Sequence, residues 1–171
     1  SSGQPVALLA QGEQPRRNSS IPKTLVRYLV EYVKDNSTDK RKKILTDILD
    51  TPISPALLPP DEAGNILQKT ESSIGPYVLH DFFLYHLLRY GASFKKIYLL
   101  AKLTFKDSFS DGEIKKWLKV FVRRFYTQQF KRNAVPDGVK VGTISLSPRG
   151  DLRMPSEASY ERILEELDKI S

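Results

Sequence analysis

The sequence contains no cysteine among its 171 residues. It can therefore form no disulfide, no thiolate nucleophile and no cysteine-ligated metal site, and the redox compartment is left open. It also lacks any apolar run close to the roughly 20 residues that a membrane-spanning helix needs, and no signal peptide is recognisable. We therefore expect no membrane partner and, by default, a cytoplasmic location.

Histidine is scarce as well. The two histidines, His80 and His86, are six residues apart. Metal-binding pairs on a helix are three or four residues apart, and no third ligand type follows at metal spacing. We therefore expect no metal site and interpret both histidines as partly buried packing residues.

The composition is that of an ordinary globular protein, with 40% hydrophobic and 27% charged residues. The formal net charge of +7 suits an anionic partner such as nucleic acid, a nucleotide or an acidic protein. Charge alone does not choose among these partners. It is equally compatible with a lysine-rich surface that only keeps the chain in solution.

The spacing of apolar residues predicts a mainly α-helical, bundle-like chain in which two long loops carry proline and glycine. The first predicted helix runs from about Pro22 to Asp35 with Ser20 as cap, and the second follows a break at Asn36–Asp39 and carries Ile44, Leu45, Ile48 and Leu49 on one side. The others run from Tyr77 to Tyr90, from Phe94 to Leu103, from Ser110 to about Gln129, and from about Ser156 to Ile170. The apolar face of the first helix is predicted to be a core stripe, formed by Leu25, Tyr28, Leu29, Tyr32 and Val33.

Three short patterns predict helix ends. Gly91 is suited to a left-handed stop and Ser93 to a cap for the helix that follows. Ser110 and Glu113 have the spacing of a capping box at the start of the longest helix. That helix combines basic residues with aromatics, as some nucleic-acid-binding helices do, but its aromatics recur at steps of three and four residues, which favours packing.

The two predicted loops are Thr51–Tyr77, which is rich in proline, and Gln128–Ser156, which carries five lysines and arginines. Loops of this length in a small domain are usually functional or disordered. The second loop also contains enough apolar residues to dock on a core, so we favour function over disorder.

Several motifs in and around these loops occur in the order found in one enzyme family. They are Ile-Leu-Asp-Thr-Pro-Ile-Ser-Pro from Ile48, Gln-Lys-Thr-Glu from Gln68, Gln-Phe-Lys-Arg from Gln129, Pro-Asp-Gly-x-Lys-Val-Gly from Pro136, and Leu-Ser-Pro-Arg-Gly-Asp-Leu-Arg-Met-Pro-Ser from Leu146. This set resembles the carboxy-terminal part of the glutamine-dependent NAD+ synthetases. The resemblance implies that residues 21–171 are the carboxy-terminal helical portion of an α/β nucleotide-binding synthetase domain. Residues 1–20 are predicted to be a disordered tail or a cloning remnant.

The resemblance implies ATP-dependent amidation of deamido-NAD+ to NAD+ in the parent enzyme, with ATP and Mg2+ as cofactors. By matching motif positions, Ser54 would bind ATP, and Phe130 and Lys131 would bind deamido-NAD+. Asp151 and Arg153 match a stretch that would orient the same substrate. Lys131 would meet a substrate phosphate as a compact positive charge.

Two parts of the family's machinery have no counterpart in this sequence. There is no Ser-Gly-Gly-x-Asp-Ser loop to hold phosphate on backbone amides, and no cysteine for glutamine hydrolysis. We therefore expect a fragment that has no catalytic residue of its own and is inactive alone. Its expected partners are the remainder of the synthetase domain, the glutaminase domain and small-molecule nucleotides, within a homo-oligomeric parent enzyme.

The alternative is a basic helical interaction module for nucleic acid or an acidic protein partner. Its affinity would fall steeply with salt, because each neutralised phosphate releases counterions. The basic residues are scattered over several predicted helices and form no known binding motif, which disfavours this interpretation.

Overall fold

The computed structural model describes residues 21–50, 75–134, 140–143 and 145–170. These residues contain seven helices: α1 (Lys23–Asp35), α2 (Asp39–Asp50), α3 (Tyr77–Tyr90), α4 (Phe94–Thr104), α5 (Asp111–Thr127), α6 (Gln129–Ala134) and α7 (Glu161–Asp168). The described residues include no strand, so the prediction of a mainly α-helical chain is confirmed. None of their helices has the length and apolarity that crossing a membrane requires.

The core lies where α3, α4 and α5 pack on one another and α7 packs against α4 and α5. Its fully buried apolar side chains come mostly from one face of each helix, and they include Leu79, Phe83, Ile97, Ile114, Leu118, Phe121 and Leu167. Burial of a Leu, Ile or Phe side chain contributes roughly 1.5–3 kcal/mol, so this four-helix cluster supplies most of the apolar stabilisation. The packing agrees with the bundle-like prediction.

The three predicted helix ends are confirmed. Gly91 ends α3 with a φ of 58°, in the left-handed region. The Ser93 hydroxyl accepts a hydrogen bond from the Lys96 amide at 3.3 Å. At the start of α5 the Ser110 amide donates to Glu113 Oε2 at 2.9 Å while the Glu113 amide donates to Ser110 Oγ at 3.3 Å. These bonds satisfy amides that the first turn of a helix leaves without partners.

The predicted core stripe on α1 is wrong. Leu25, Tyr28, Leu29, Tyr32 and Val33 are 45–68% exposed. The helix packs on α2 and, at its start, on α3. Leu29 and Val33 share a groove with Leu45 of α2, but no described element buries any of the five side chains. Amphipathic spacing predicts that a helix has an apolar side, and it does not say which part of the protein lies against that side.

The start of α1 also differs from the prediction. Pro22 occupies the N-cap position rather than the first turn, and it has no side chain that can cap. The predicted cap, Ser20, lies outside the described residues. Asp81 of α3 takes over this role, because its carboxylate accepts from the Thr24 amide at 2.9 Å and from the Thr24 hydroxyl at 2.5 Å. A carboxylate at a helix amino terminus is also favoured by the helix dipole.

Two other helix boundaries need correction. The long helix α5 ends at Thr127, and the chain breaks at Gln128 before it resumes as α6. The first part of the loop predicted over Gln128–Ser156 is therefore helical. The last helix begins at Glu161 instead of Ser156, because residues 156–157 form a turn.

The carboxy-terminal end of the proline-rich loop is anchored on α5. Gly75 has a φ of 97° and lies against the ring of Trp117, where a Cβ atom would be 2.4 Å from the ring. Trp117 is consequently half-buried under the backbone of Gly75. Residues 51–74, with the predicted ATP ligand Ser54, lie outside the described residues.

Both histidines pack against aromatic rings, as predicted. His80 is buried between Phe83 and Phe121, with ring centroids 6.2 and 6.0 Å away. His86 is half-buried beside Phe82 at 4.3 Å, and burial, with a contribution from nearby Lys96, lowers the pKa of its imidazole. Within the described ranges, no cluster of three or more His, Asp or Glu side chains could hold a metal ion.

Candidate functional site

The short helix α6 carries three of the residues around which the sequence predicts a site. Successive residues of a helix are turned by about 100°, so the neighbours Phe130, Lys131 and Arg132 point in different directions. Phe130 is 54% exposed, Lys131 is half-buried, and Arg132 is fully buried. The predicted substrate-binding pair, Phe130 and Lys131, thus lies on the outer side of α6.

Phe130 and Lys131 also touch each other. The Lys131 ammonium lies 5.9 Å from the centroid of the Phe130 ring, at the outer limit of a cation–π contact. No salt bridge joins Lys131 to a carboxylate in the described part of the chain. An accessible ammonium beside an exposed ring is suited to a ligand that carries both negative charge and a flat heterocycle.

Arg132 points in the opposite direction, into the protein. Its Nε donates to Gln129 Oε1 at 2.6 Å, its Nη2 donates to the Phe125 carbonyl, and its guanidinium carbon lies 4.6 Å from the centroid of the Phe125 ring. Burial lowers the pKa of Arg132 to about 10, so the side chain remains charged at neutral pH. Its Nη1 atom meets no hydrogen-bond partner among the described residues.

Hydrogen bonds join α6 to residues 145–156, which we name the return segment. Gln129 Nε2 donates to the Met154 carbonyl at 2.9 Å, and Asn133 Nδ2 donates to Ser156 Oγ at 2.6 Å. Arg149 Nη2 donates to the Asn133 carbonyl near the end of α6 at 3.3 Å. The position of α6 therefore depends on a part of the chain that follows it by about twenty residues.

Asp151 and Arg153 lie on the return segment, on its exposed side. Their neighbours Leu152 and Met154 are half-buried and pack against the core. The Asp151 carboxylate accepts from Lys140 Nζ at 2.8 Å and from the Ser145 amide at 2.7 Å. These two hydrogen bonds, with that from Lys140 the stronger, hold the pKa of Asp151 below its usual value. The carboxylate is thus ionised and part of the loop's own structure.

The structure brings four of the five predicted site residues onto two connected elements, α6 and the return segment. Phe130 and Lys131 are on α6, and Arg153 directly precedes Met154, whose carbonyl is bonded to α6 through Gln129. Asp151 is nearby in the chain but is engaged by Lys140. Ser54 lies outside the described residues.

Sequence reasoning missed Arg132 and Gln129 as buried polar residues. The positive charge of Arg132 at the carboxy-terminal end of a predicted helix was explained by the helix dipole, which gives no reason to expect its burial. The useful pattern was their separation of three residues, which places both on one face of a helix. That pattern has meaning only if residues 129–134 are helical, and the sequence predicted a loop there.

Curated proteins are similar to this chain over most of its length, whereas no family model matches it. Over 89% of its length, the chain is 40% identical to the glutamine-dependent NAD(+) synthetase of Mycobacterium leprae (strain TN). It is 39% identical to the proteins of the same name from Mycobacterium bovis and Mycobacterium tuberculosis over the same share of its length.

The matched region covers 25% of each of these proteins, so the chain spans about a quarter of the length of the curated relatives that it matches. The resemblance that the motifs indicated is confirmed. Across 89% of its length, this chain is thus similar to about a quarter of the sequence of these glutamine-dependent NAD(+) synthetases.

Proposed function

We propose that this chain is the carboxy-terminal part of a glutamine-dependent NAD+ synthetase, an amide ligase that converts deamido-NAD+ to NAD+ with ATP. The observation that carries the proposal is the 40% identity over 89% of the chain to a protein of that name. The motifs at Ile48–Pro55 and over residues 128–156 also support it, because they occur in this chain in the order that they have in that family. The parent's α/β domain would contain this helical portion.

In this proposal, Phe130 and Lys131 bind deamido-NAD+. The exposed side of α6 presents an ammonium beside an aromatic ring. Deamido-NAD+ carries phosphates next to flat heterocycles, which such a pair of side chains can bind. The Lys131 ammonium would contact a phosphate oxygen, and the exposed Phe130 ring would lie against a heterocycle. Arg153, exposed on the return segment, would contribute a second positive charge to the same ligand.

Asp151 is proposed to act on the substrate from a fixed position. Because Lys140 and the Ser145 amide hold its carboxylate ionised, it can accept hydrogen bonds from hydroxyl or amide groups of a ligand. Ser54 is proposed to contact ATP on the basis of the proline-rich motif alone. Magnesium and the phosphate-holding loop would come from the rest of the parent protein, so the chain alone would be inactive.

The partner of this chain would be the remaining three quarters of the parent, including its glutaminase domain. The exposed apolar side chains of α1 and α2 support this proposal, because a patch of large apolar groups that no described element covers is typical of an interface. They include Leu25, Tyr28, Tyr32, Ile44 and Ile48. Homo-oligomeric assembly and a cytoplasmic location remain predictions.

The test is Lys131→Ala in the full-length parent enzyme, assayed for NAD+ formation at varied deamido-NAD+. Loss of a charged contact to phosphate costs about 1.5–3 kcal/mol, so kcat/KM should fall roughly 10- to 150-fold. The matched control is Lys106→Ala, an exposed lysine between α4 and α5. If the Lys131 variant retains the kcat/KM of the control, the proposed role of Lys131 is refuted.

The alternative of a basic interaction module gains no comparable support. Several of the basic side chains that it would use are already paired with carboxylates, among them Lys102 with Asp111 and Lys119 with Asp168. Binding of a duplex DNA probe to the chain, with an affinity that falls steeply as salt rises, would revive this alternative.

A further inference from the structure

A fully buried arginine needs a physical explanation. Arg132 has no exposed surface, and no carboxylate in the described residues forms an ion pair with it. Burying an unpaired charge is costly unless hydrogen bonds and favourable dipoles replace its water. A lysine at the same position would serve the helix dipole equally well from the surface, so the dipole alone does not account for the burial.

The contacts of Arg132 lie at the break between α5 and α6. The Phe125 carbonyl belongs to the last turn of α5, where carbonyls lack the partners that a continuing helix would supply. Arg132 Nη2 donates to this carbonyl, and the guanidinium lies over the ring of the same residue. The arginine of the second helix thus caps the first, and its charge is stabilised by the negative end of the α5 dipole.

The same guanidinium is linked to the return segment through one intermediary. Arg132 Nε donates to Gln129 Oε1, and the amide nitrogen of Gln129 donates to the Met154 carbonyl at 2.9 Å. Gln129 is also fully buried, so this bridge is shielded from water. One side chain therefore connects the end of α5, the whole of α6 and the segment that carries Arg153.

We propose that Arg132 is a positioning residue: it sets the orientation of α6 and thereby holds Phe130 and Lys131 where they can meet deamido-NAD+. The inference rests on the proposed function of those two residues. Because adjacent helical residues differ by about 100° in direction, a small rotation of α6 would turn the Lys131 ammonium away from its ligand. The six-residue helix α6 is held against such a rotation by the side-chain hydrogen bonds of Arg132, Gln129 and Asn133 and by the bond from Arg149 to its backbone.

The chemistry of the guanidinium explains why lysine would be a poor substitute. A planar guanidinium donates from Nε and from Nη2 in two fixed directions, which matches the Gln129 and Phe125 oxygens. An ammonium at the end of a flexible chain cannot fix the same two directions. Arg132→Lys should therefore keep the charge and lose part of the positioning.

The experiment uses the full-length parent enzyme and measures KM separately for deamido-NAD+ and for ATP. For Arg132→Met we expect KM for deamido-NAD+ to rise about tenfold while KM for ATP stays within about twofold of wild type. Arg132→Lys should show a smaller rise. Arg162→Met is the matched control, because the Arg162 side chain is 91% exposed on α7 and should leave both constants unchanged.

A mutant cycle in which both positioned residues are removed separates positioning from an independent contribution. If Arg132 acts through Phe130 and Lys131, adding Arg132→Met to the variant Phe130→Ala/Lys131→Ala lowers kcat/KM by no more than about twofold further. Losses that multiply would overturn the inference. So would equal increases in both KM values, since these indicate a general loss of structure.

The arms of the experiment also separate this inference from the proposed function. If Lys131→Ala leaves kcat/KM unchanged, Lys131 has no role in binding deamido-NAD+, and the inference that Arg132 positions it is overturned as well. An impaired Lys131→Ala together with a folded Arg132→Met of wild-type KM overturns only the positioning role. If Arg132→Met fails to fold, Arg132→Lys replaces it in the same mutant cycle. A wild-type KM for deamido-NAD+ in Arg132→Lys then refutes the inference.

Discussion

Replacing Gly75 by alanine tests how firmly the end of the proline-rich loop is attached to the core. A methyl group at this position would lie 2.4, 2.6 and 2.9 Å from three atoms of the Trp117 ring. Contacts this short do not persist, so either the Trp117 ring or the backbone of Gly75 must move. The residue also has a φ of 97°, a conformation that alanine rarely adopts.

Both effects have known sizes. A left-handed or similar positive-φ conformation costs a non-glycine residue roughly 1–2 kcal/mol. Inserting a methyl group into a packed site costs typically about 1–3 kcal/mol. Together they predict that Gly75→Ala lowers the free energy of unfolding by about 2–5 kcal/mol, which corresponds to a fall in Tm of roughly 5–15 °C in a chain of this size.

Urea denaturation followed by tryptophan fluorescence is a suitable assay, because Trp117 is the chain's single tryptophan. Two other glycines provide matched controls. Gly91 has a φ of 58° but no atom within 4 Å of a Cβ, so Gly91→Ala should show the backbone cost alone, about 1–2 kcal/mol. Gly112 has neither constraint, and Gly112→Ala in α5 should be neutral or stabilising by less than about 1 kcal/mol. If Gly75→Ala destabilises the chain no more than Gly91→Ala, the contact with Trp117 contributes nothing.

Three further perturbations test other parts of the molecule. Hydrogen bonds from Ser110 lower the pKa of Glu113, so the stability that this carboxylate adds is present above its unfolded pKa and is lost as pH falls through the folded pKa. Ser110→Ala should cost about 1 kcal/mol near neutral pH and should flatten this part of an acid-unfolding curve. Lys140→Ala should raise the pKa of Asp151 toward its usual value, measurable by NMR titration of the carboxyl carbon, and an unchanged pKa would show that the ion pair is unimportant. Tyr28→Lys, at a side chain 67% exposed on α1, should change the stability of the chain by less than about 0.5 kcal/mol but reduce activity in the full-length parent, and equal activity would mean that this face meets nothing there.

Sequence patterns predicted the parts of the fold that depend on neighbouring residues. The capping box at Ser110, the stop at Gly91 and the apolar stripe through Ile114 and Phe121 each need only a few residues to be recognised. Their physical causes, unsatisfied amides and a helical repeat, act within one or two turns. The central helices α3, α4 and α5 were therefore placed to within two residues at each end.

The candidate site was harder to predict because its geometry depends on distant parts of the chain. The break at Gln128 has no proline or glycine to mark it, and the burial of Arg132 depends on the Met154 carbonyl reached through Gln129. The sequence places Lys131 and Arg132 side by side as equivalent cations. Packing separates them, and it leaves Lys131 at the surface.

Helix α1 is attached to the core although the apolar side chains on one of its faces are exposed. The link to α3 is polar, since the Asp81 carboxylate binds the amide and hydroxyl of Thr24 at the first turn. Because Asp81 is buried, this cap fixes the start of α1, while Tyr28 and Tyr32 further along the helix stay exposed. The polar anchor thus holds α1 in place, while the apolar side chains that no described element buries stay available for contact with a further segment of this chain or of a larger protein.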